Sequence, residues 1–368
     1  MPEATTTSTP LPSPARYVPY AQIGDRPNVI VDGAPLASTV LTLSHWPNNQ
    51  THQSVRRDTS TATVFAYLDT PALHQDVTIV SNQHFDEDGL FSMFAIVDPA
   101  AALAHRELLS GAALAGDFGI VEHPDAARLC FIVEAFCDPD ASPLPADTFA
   151  GCEARRVEAL YREMLPRVLE LATNIDAWEP LWREPYAHFV RSERLLADGA
   201  VTIDEYPDVD LAVVSIPQGL ESQTVRRYLQ PEEAAVHPFA IHGRTQRNRI
   251  LRMTGQRYEL QYRYESWVQL ASRRPLLRVA LAELANELND VERAPGEWRC
   301  EDVNEVAPRL WLEGVEESSL TPPDFVERVR RYLAAAPVAW DPYDWQPDDG
   351  SSDDEGDDGG DEPIAAQR

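Results

Sequence analysis

The chain has no lysine: all 31 of its basic residues are arginines. A Walker-type phosphate loop needs its Lys, and pyridoxal-phosphate or Schiff-base chemistry needs an amine nucleophile, so those classes are excluded. Cysteine is scarce, and Cys130, Cys137, Cys152 and Cys300 follow no zinc spacing. They read as buried reduced thiols rather than a disulfide framework. No run approaches the roughly 18 to 20 apolar residues of a membrane span. Met1 to Pro14 carries neither the positive nor the apolar region of a secretory signal, so a cytoplasmic location is the expectation. A nucleophile-elbow serine, a dinucleotide Gly-rich fingerprint and a catalytic Cys/His signature are all missing, and no catalytic nucleophile is assigned.

What is present is the balance of a globular protein: 368 residues, 43% hydrophobic and 25% charged. That length accommodates two ordinary domains. The net charge of −29 argues against non-specific binding to nucleic acid or to an anionic membrane. The charge is uneven. Asp348 to Glu362 holds nine acids and no base, which predicts a disordered tail able to meet a protein partner. His242 to Arg278 holds nine arginines against Glu259 and Glu265. Such an island fits a local anion site, and it equally fits a salt-bridged surface.

The patterning predicts an α/β fold: an N-terminal parallel-sheet domain, a smaller mixed α/β domain and an acidic tail. Residues 1–15 read as a disordered arm, 16–199 as the first domain with a helical linker, 200–338 as the second domain and 339–368 as the tail. Val29–Asp32 and Thr39–Ser44 are predicted strands around a Gly-Ala-Pro turn. Asp76–Ser81, β-branched and without alternation, suits a strand buried on both faces. Gly89–Val97 and Pro99–Leu114 read as helices, and Ala127–Phe136 as either a buried strand or a core helix. Val157 to Leu169 has helical spacing interrupted by Pro166, and a further helix runs to about Leu196. Val201–Tyr206, Asp210–Ile216 and the alternating Tyr258, Leu260, Tyr262 and Tyr264 predict strands, with Thr254-Gly255 as a hairpin turn. Helices are predicted from Leu277 to Val291 and from Phe325 to Leu333.

One segment carries specific chemistry. His84, Asp86 and Asp88 alternate just beyond the buried strand ending at Ser81, so on an extended chain they face one point. In open α/β sheets the carboxyl ends of the strands are where ligands bind. One imidazole and two carboxylates suit Mn²⁺, Mg²⁺ or Fe²⁺. Gly89 would let the chain turn tightly into the next helix. The bland reading is that Asp86, Glu87 and Asp88 cap a helix and meet its dipole, with His84 a satisfied strand-end residue.

A strand followed by His-x-Asp-x-Asp and a helix resembles the first motif of the DHH phosphoesterase superfamily. That resemblance implies two Mn²⁺ ions held by the N-terminal domain and a C-terminal domain that grips the substrate's far phosphate. It makes His84, Asp86 and Asp88 metal ligands, and Asp117, after Leu114-Ala115-Gly116, a match to the second motif's Asp after a strand. The superfamily's Asp-His-His triplet is absent, and no two histidines are adjacent. His45, following the strand Thr39–Ser44, is a candidate late recruit and pocket residue. The chain also resembles a group of bacterial proteins known only as a domain of unknown function.

In the second domain, His237 to His242 is a strand-like run leading into Gly243 and Arg244. His242, Arg244 and Arg247 are candidates for gripping a phosphate-containing small ligand, because guanidinium forks match phosphate geometry. The expected function is therefore metal-dependent hydrolysis of a phosphoester or phosphoanhydride on a nucleotide-like molecule, with a Mn²⁺ or Mg²⁺ cofactor. The alternatives are a non-catalytic relative that binds a ligand, and a scaffold docking a partner through its acidic tail and Trp340 to Trp345.

Overall fold

A computed structural model describes residues 11–227 and 230–344. Residues 1–10 of the expected arm, Trp345 and the acidic stretch from Asp348 lie outside the described residues. The fold is mixed α/β, with a parallel sheet in the first half. Strands β1 (Arg16–Tyr17), β2 (Asn28–Val31), β3 (Thr39–Leu43) and β4 (Ile79–Ser81) form that sheet in the order β1-β4-β2-β3, every pair parallel. All residues of β2 and β4 are buried, as their unbroken β-branched runs require of central strands covered on both faces. Register sets the strand ends level: Val31 pairs with Leu43 and Ile30 with Ser81. Asp32, Ser44-His45 and Asn82 therefore leave the sheet side by side.

Helix α1 (Ser60–Leu68) lies between β3 and β4 in sequence. After β4 come α2 (Glu87–Val97), α3 (Pro99–Ala104), α4 (Arg106–Phe118), α5 (Pro124–Cys137), α6 (Glu153–Met164), α7 (Val168–Thr173) and α8 (Glu179–Ala197). The undecided run Ala127–Phe136 is a core helix, inside α5. The stretch read as one helix from Pro99 is two, parted at His105. Asp117 follows no strand: it sits in the last turn of α4, which ends on left-handed Gly119. Pro166 parts α6 from α7 through a single 3₁₀ turn, since its ring cannot continue the α-helical bonding.

The second half holds β5 (Thr202–Tyr206), β6 (Leu211–Ile216), β7 (Gln223–Arg227), β8 (Gln230–Ala234) and α9 (Pro238–His242). It continues with β9 (Arg249–Thr254), β10 (Arg257–Tyr262), β11 (Arg278–Val279), α10 (Ala282–Asn289), β12 (Glu297–Cys300), β13 (Arg309–Glu313), α11 (Pro322–Ala335) and β14 (Val338–Trp340). A six-stranded sheet runs β12-β13-β10-β9-β6-β5, antiparallel except for β6 with β9. Tyr258, Leu260 and Tyr262 fill one face, where they meet Leu284 and Leu288 of α10 and Phe325 and Val329 of α11. The hairpin turns at Gly255, whose φ of 62° suits glycine. His237–His242 is not a strand: Pro238 occupies the first helical position and the His237 ring accepts from the Phe239 amide. Arg278 is also extended rather than helical, and α10 starts only at Ala282.

The two halves are packed on each other. Phe118 of α4 joins Tyr264, Val268 and Leu270 in one buried cluster, while Phe239 and Ala240 belong to the core of the first half. Among the described residues, no helix is long and apolar enough to cross a membrane.

Candidate metal centre

The level strand ends bring together side chains that are far apart in sequence. Asp32 follows β2 with φ of 46°, a left-handed conformation that Asp tolerates better than most residues. Its carboxylate straddles two histidines: Oδ1 lies 3.4 Å from His45 Nε2 and Oδ2 lies 3.1 Å from His84 Nε2. Ser60 Oγ donates to Oδ1 at 2.8 Å, whereas Oδ2 receives no hydrogen bond of good geometry.

Each histidine faces further carboxylates. His84 Nε2 is 3.0 Å from Asp86 Oδ2, and His45 Nε2 is 3.5 Å from Asp117 Oδ2 and 3.9 Å from Asp88 Oδ2. Two donor sets result, Asp32 with His84 and Asp86, and Asp32 with His45 and Asp88, each with its atoms within 4.8 Å of one another. The first set borders the cleft and the second is buried. His84, Asp86 and Asp88 thus divide between two adjoining positions. The reason is that Asp86 is the extended N-cap of α2 whereas Asp88 lies in its first turn, so they do not point the same way.

Helix termini do much of the positioning. Asp86 caps α2 through Oδ1, which accepts from the Gly89 amide at 2.7 Å, and this leaves Oδ2 for His84. Capping and cluster membership are therefore two oxygens of one side chain. Asp88 accepts from the amides of Ser60 and Thr61, both at 2.6 Å, at the N-terminus of α1 where a negative charge is favoured. Gly89 does not make a turn. It lies within α2, where any Cβ would come 2.7 Å from both Asn82 Nδ2 and the Tyr161 hydroxyl. His45 Nδ1 is bound to the Asp58 carbonyl oxygen, so Nε2 is the atom presented to the carboxylates.

Burial and proximity shift the titration of most of this cluster. Burial opposes charge on Asp32, but its close contacts with His45 and His84 and their positive charges hold it far below the usual carboxylate range. Burial also opposes charge on His45 and His84, yet Asp32 and its neighbours hold both protons more tightly than usual. Burial and then the Asp32 charge push Asp88 up to about 6. Burial and the charges of Asp88, Asp86 and Asp32 hold Asp117 well above the ordinary range. A bound cation would relieve that repulsion. Its donors are imidazole nitrogen and carboxylate oxygen with no sulfur, the set favoured by Mn²⁺ and Mg²⁺.

A cleft of about 350 Å³ opens on the cluster. Trp46, His84, Phe85, Asp86, Asp117 and Tyr264 line it, so both halves contribute to its wall. Trp46 stacks on the His84 ring with centroids 4.8 Å apart. Its arginines are Arg156, paired with Glu153, and Arg226, which is 2.5 Å from Asp138.

The remaining candidates lie elsewhere. Arg244 pairs with Glu193 at 2.8 Å, Arg247 approaches Glu205 and Asp210, and neither lines the cleft. His242 lines a neighbouring cavity of about 220 Å³, its Nδ1 3.1 Å from the Phe118 carbonyl oxygen. His242 ends a short helix, not a strand, and Arg244 and Arg247 follow it in the connection to β9. Within the island, Arg263 and Arg278 are buried structural groups. Arg278 donates to the carbonyls of Val303, Glu305 and Val306, and Arg263 to those of Thr245 and Phe118. His45, expected to line a substrate pocket, is instead in the buried donor set. Asp32 and Tyr264 were not anticipated. Asp32 had a legible signal, an Asp-Gly pair closing a buried strand, whereas Tyr264 had none beyond its alternation with polar neighbours.

A protein-family model described as a family of unknown function, DUF6687, matches residues 13–344. No curated protein and no solved structure matches the chain.

Proposed function

We propose that this chain, which belongs to the DUF6687 family, is a metal-dependent hydrolase of a phosphoester or phosphoanhydride on a small, nucleotide-like molecule. The observation that carries the reading is the Asp32 carboxylate, shared between two histidine-carboxylate donor sets at the carboxyl edge of a parallel sheet. His84, Asp86 and one oxygen of Asp32 would hold an outer ion beside the cleft. His45, Asp88 and the other oxygen would hold an inner one, with Asp117 at its side. Bound there, Mn²⁺ or Mg²⁺ supplies Lewis acidity, activating water and offsetting charge that develops at phosphorus.

The protein's own part is orientation and exclusion. Asp58 fixes the His45 ring, the α1 amides fix Asp88, and Trp46 stacked on His84 walls the outer position. The aromatic wall gives a base or aryl group a surface to lie on. A second reading, a non-catalytic relative that binds such a ligand, draws support from the absence of an Asp-His-His triplet in the sequence.

The test is metal analysis after Mn²⁺ loading and dialysis, combined with release of phosphate from pyrophosphate and of nitrophenol from bis-p-nitrophenyl phosphate. Two ions per chain and turnover lost in Asp32→Asn are expected. Bound metal without turnover on any phosphoester would favour the binding protein. No bound metal would end both readings of the cluster.

A further inference from the structure

We propose that Tyr264, contributed by the second half of the chain, is a ligand of the inner ion; this rests on the metal-centre reading above. Around His45 Nε2 stand four oxygens: the Tyr264 hydroxyl at 3.2 Å, Asp32 Oδ1 at 3.4 Å, Asp117 Oδ2 at 3.5 Å and Asp88 Oδ2 at 3.9 Å. Ligand atoms bonded to one cation at about 2.1 Å lie roughly 3.0 Å apart in octahedral geometry and roughly 3.4 Å apart in tetrahedral geometry. The Tyr264, Asp32 and Asp117 oxygens lie at about that spacing from Nε2, with Asp88 somewhat further out. The phenol oxygen is the nearest of the four.

The hydroxyl is also held with the rigidity a ligand needs. Tyr264 opens a 3₁₀ turn and is 6% exposed. Its ring meets His45 edge-on at 5.6 Å, with Phe118 at 6.0 Å and Trp267 stacked at 5.9 Å. The preceding residue, Arg263, donates to the Phe118 carbonyl at 3.1 Å and the Thr245 carbonyl at 2.7 Å, tying this turn to the end of α4. Asp117, on that same end of α4, is itself one of the four oxygens.

A shell of one imidazole, three carboxylates and a phenol is hard and oxygen-rich, which selects a cation of high charge density. As the oxygen–metal bond forms, the phenol O–H bond breaks and its proton passes to solvent; nothing is oxidised or reduced. Tyr264 thereby makes occupancy of the inner position depend on both halves of the chain.

Fe³⁺ is the probe, because a phenolate on ferric iron gives a visible charge-transfer absorption that carboxylate and imidazole ligands do not. Full-length protein, freed of metal, is titrated with Fe³⁺ from a weak chelate, and bound iron and the visible spectrum are followed together. The expected result is a visible band that grows with the first equivalent of iron. It should be lost in Tyr264→Phe, which keeps the ring packing, while Tyr161→Phe retains it. Iron bound without a band, or a band surviving in Tyr264→Phe, overturns the role of Tyr264 and leaves the metal centre standing. Failure to bind either Fe³⁺ or Mn²⁺ overturns the centre and this proposal with it. Where Tyr264→Phe does not fold, iron bound by the wild type without a band still overturns the proposal.

Discussion

His45 Nδ1 lies 2.5 Å from the backbone carbonyl oxygen of Asp58, thirteen residues further along the chain. That contact places the Nδ1 proton on a backbone acceptor and aims Nε2 at Asp32, Asp88 and Asp117. The carboxylate of the same Asp58 accepts from the amides of Ala271 and Ser272, at 2.7 and 2.8 Å. One residue thus orients His45 with its backbone and anchors the second half with its side chain.

Asp58→Ala should separate those two tasks. Loss of charged hydrogen bonds at a half-buried site is expected to cost about 1 to 2 kcal/mol in chemical denaturation. The carbonyl that orients His45 survives, so Mn²⁺ content measured after dialysis should stay at the wild-type level.

Asp32→Asn should remove binding at both positions. Asn accepts the left-handed backbone at Asp32, so the fold is retained, but the shared charge is gone. The rise in thermal midpoint on adding Mn²⁺ to wild type should vanish. An undiminished rise would show that Asp32 is not shared.

Gly116→Ala pits helix propensity against a collision. Alanine in a helix interior gains up to about 1 kcal/mol over glycine. The new Cβ, however, would lie 2.6 Å from Glu87 Oε2 and 2.9 Å from Glu87 Cβ, and the buried Glu87 has little freedom to retreat. Overpacking of about 1 to 3 kcal/mol should win, read as a lower denaturation midpoint.

Arg278→Lys should be strongly destabilising despite its conserved charge. The fully buried guanidinium donates to Ser266 Oγ and to the carbonyls of Val303, Glu305 and Val306. An ammonium cannot span that fork of acceptors. A loss of about 2 to 4 kcal/mol is expected from a buried charge with unmet partners, measured by urea unfolding.

Acid should loosen the second half through Glu292. Burial opposes its charge, but hydrogen bonds from Ser318, Ser319 and the Ala294 amide lower its pKa to about 2. The folded value lies below the ordinary Glu value of about 4.3. Its contribution is therefore complete above that value and is lost as pH falls toward about 2. Because the group is partly exposed, the effect should be on the order of 1 kcal/mol. Unfolding curves between pH 5 and pH 2 should fall less steeply for Glu292→Gln than for wild type.

Much of the scaffold around the candidate metal centre was legible because its signals are local. The unbroken apolar runs in β2 and β4 read as buried parallel strands, and His84 with Asp86 stood out beside one of them. Where periodicity and turn chemistry disagreed, turn chemistry won: Pro238 starts a helix in a run that looked extended. The centre itself was only partly legible, since its shape comes from register. Nothing local to Asp32 announces that it ends level with Leu43 and Ser81, and nothing in the alternation around Tyr264 announces His45. The arginine island misled for a related reason. Sequence shows a density of positive charge, but three-dimensional pairing decides whether it is on offer, and Arg244, Arg247 and Arg263 are all engaged.

The seam between the halves bears on how the chain can be divided. Gln269 donates its amide to the His45 carbonyl at 2.7 Å, Asn49 donates to the Gln269 side chain, and Arg263 reaches the carbonyl that closes α4. A cut near residue 199, the place where the secondary structure changes character, would pass through no element and still strip the first half of these contacts. The resulting fragment would keep its parallel sheet but present an exposed His45 loop and a bare face at Phe118 and Leu114. An insertion would be better tolerated at the exposed Gly219 turn, where a Cβ would meet nothing within 4 Å.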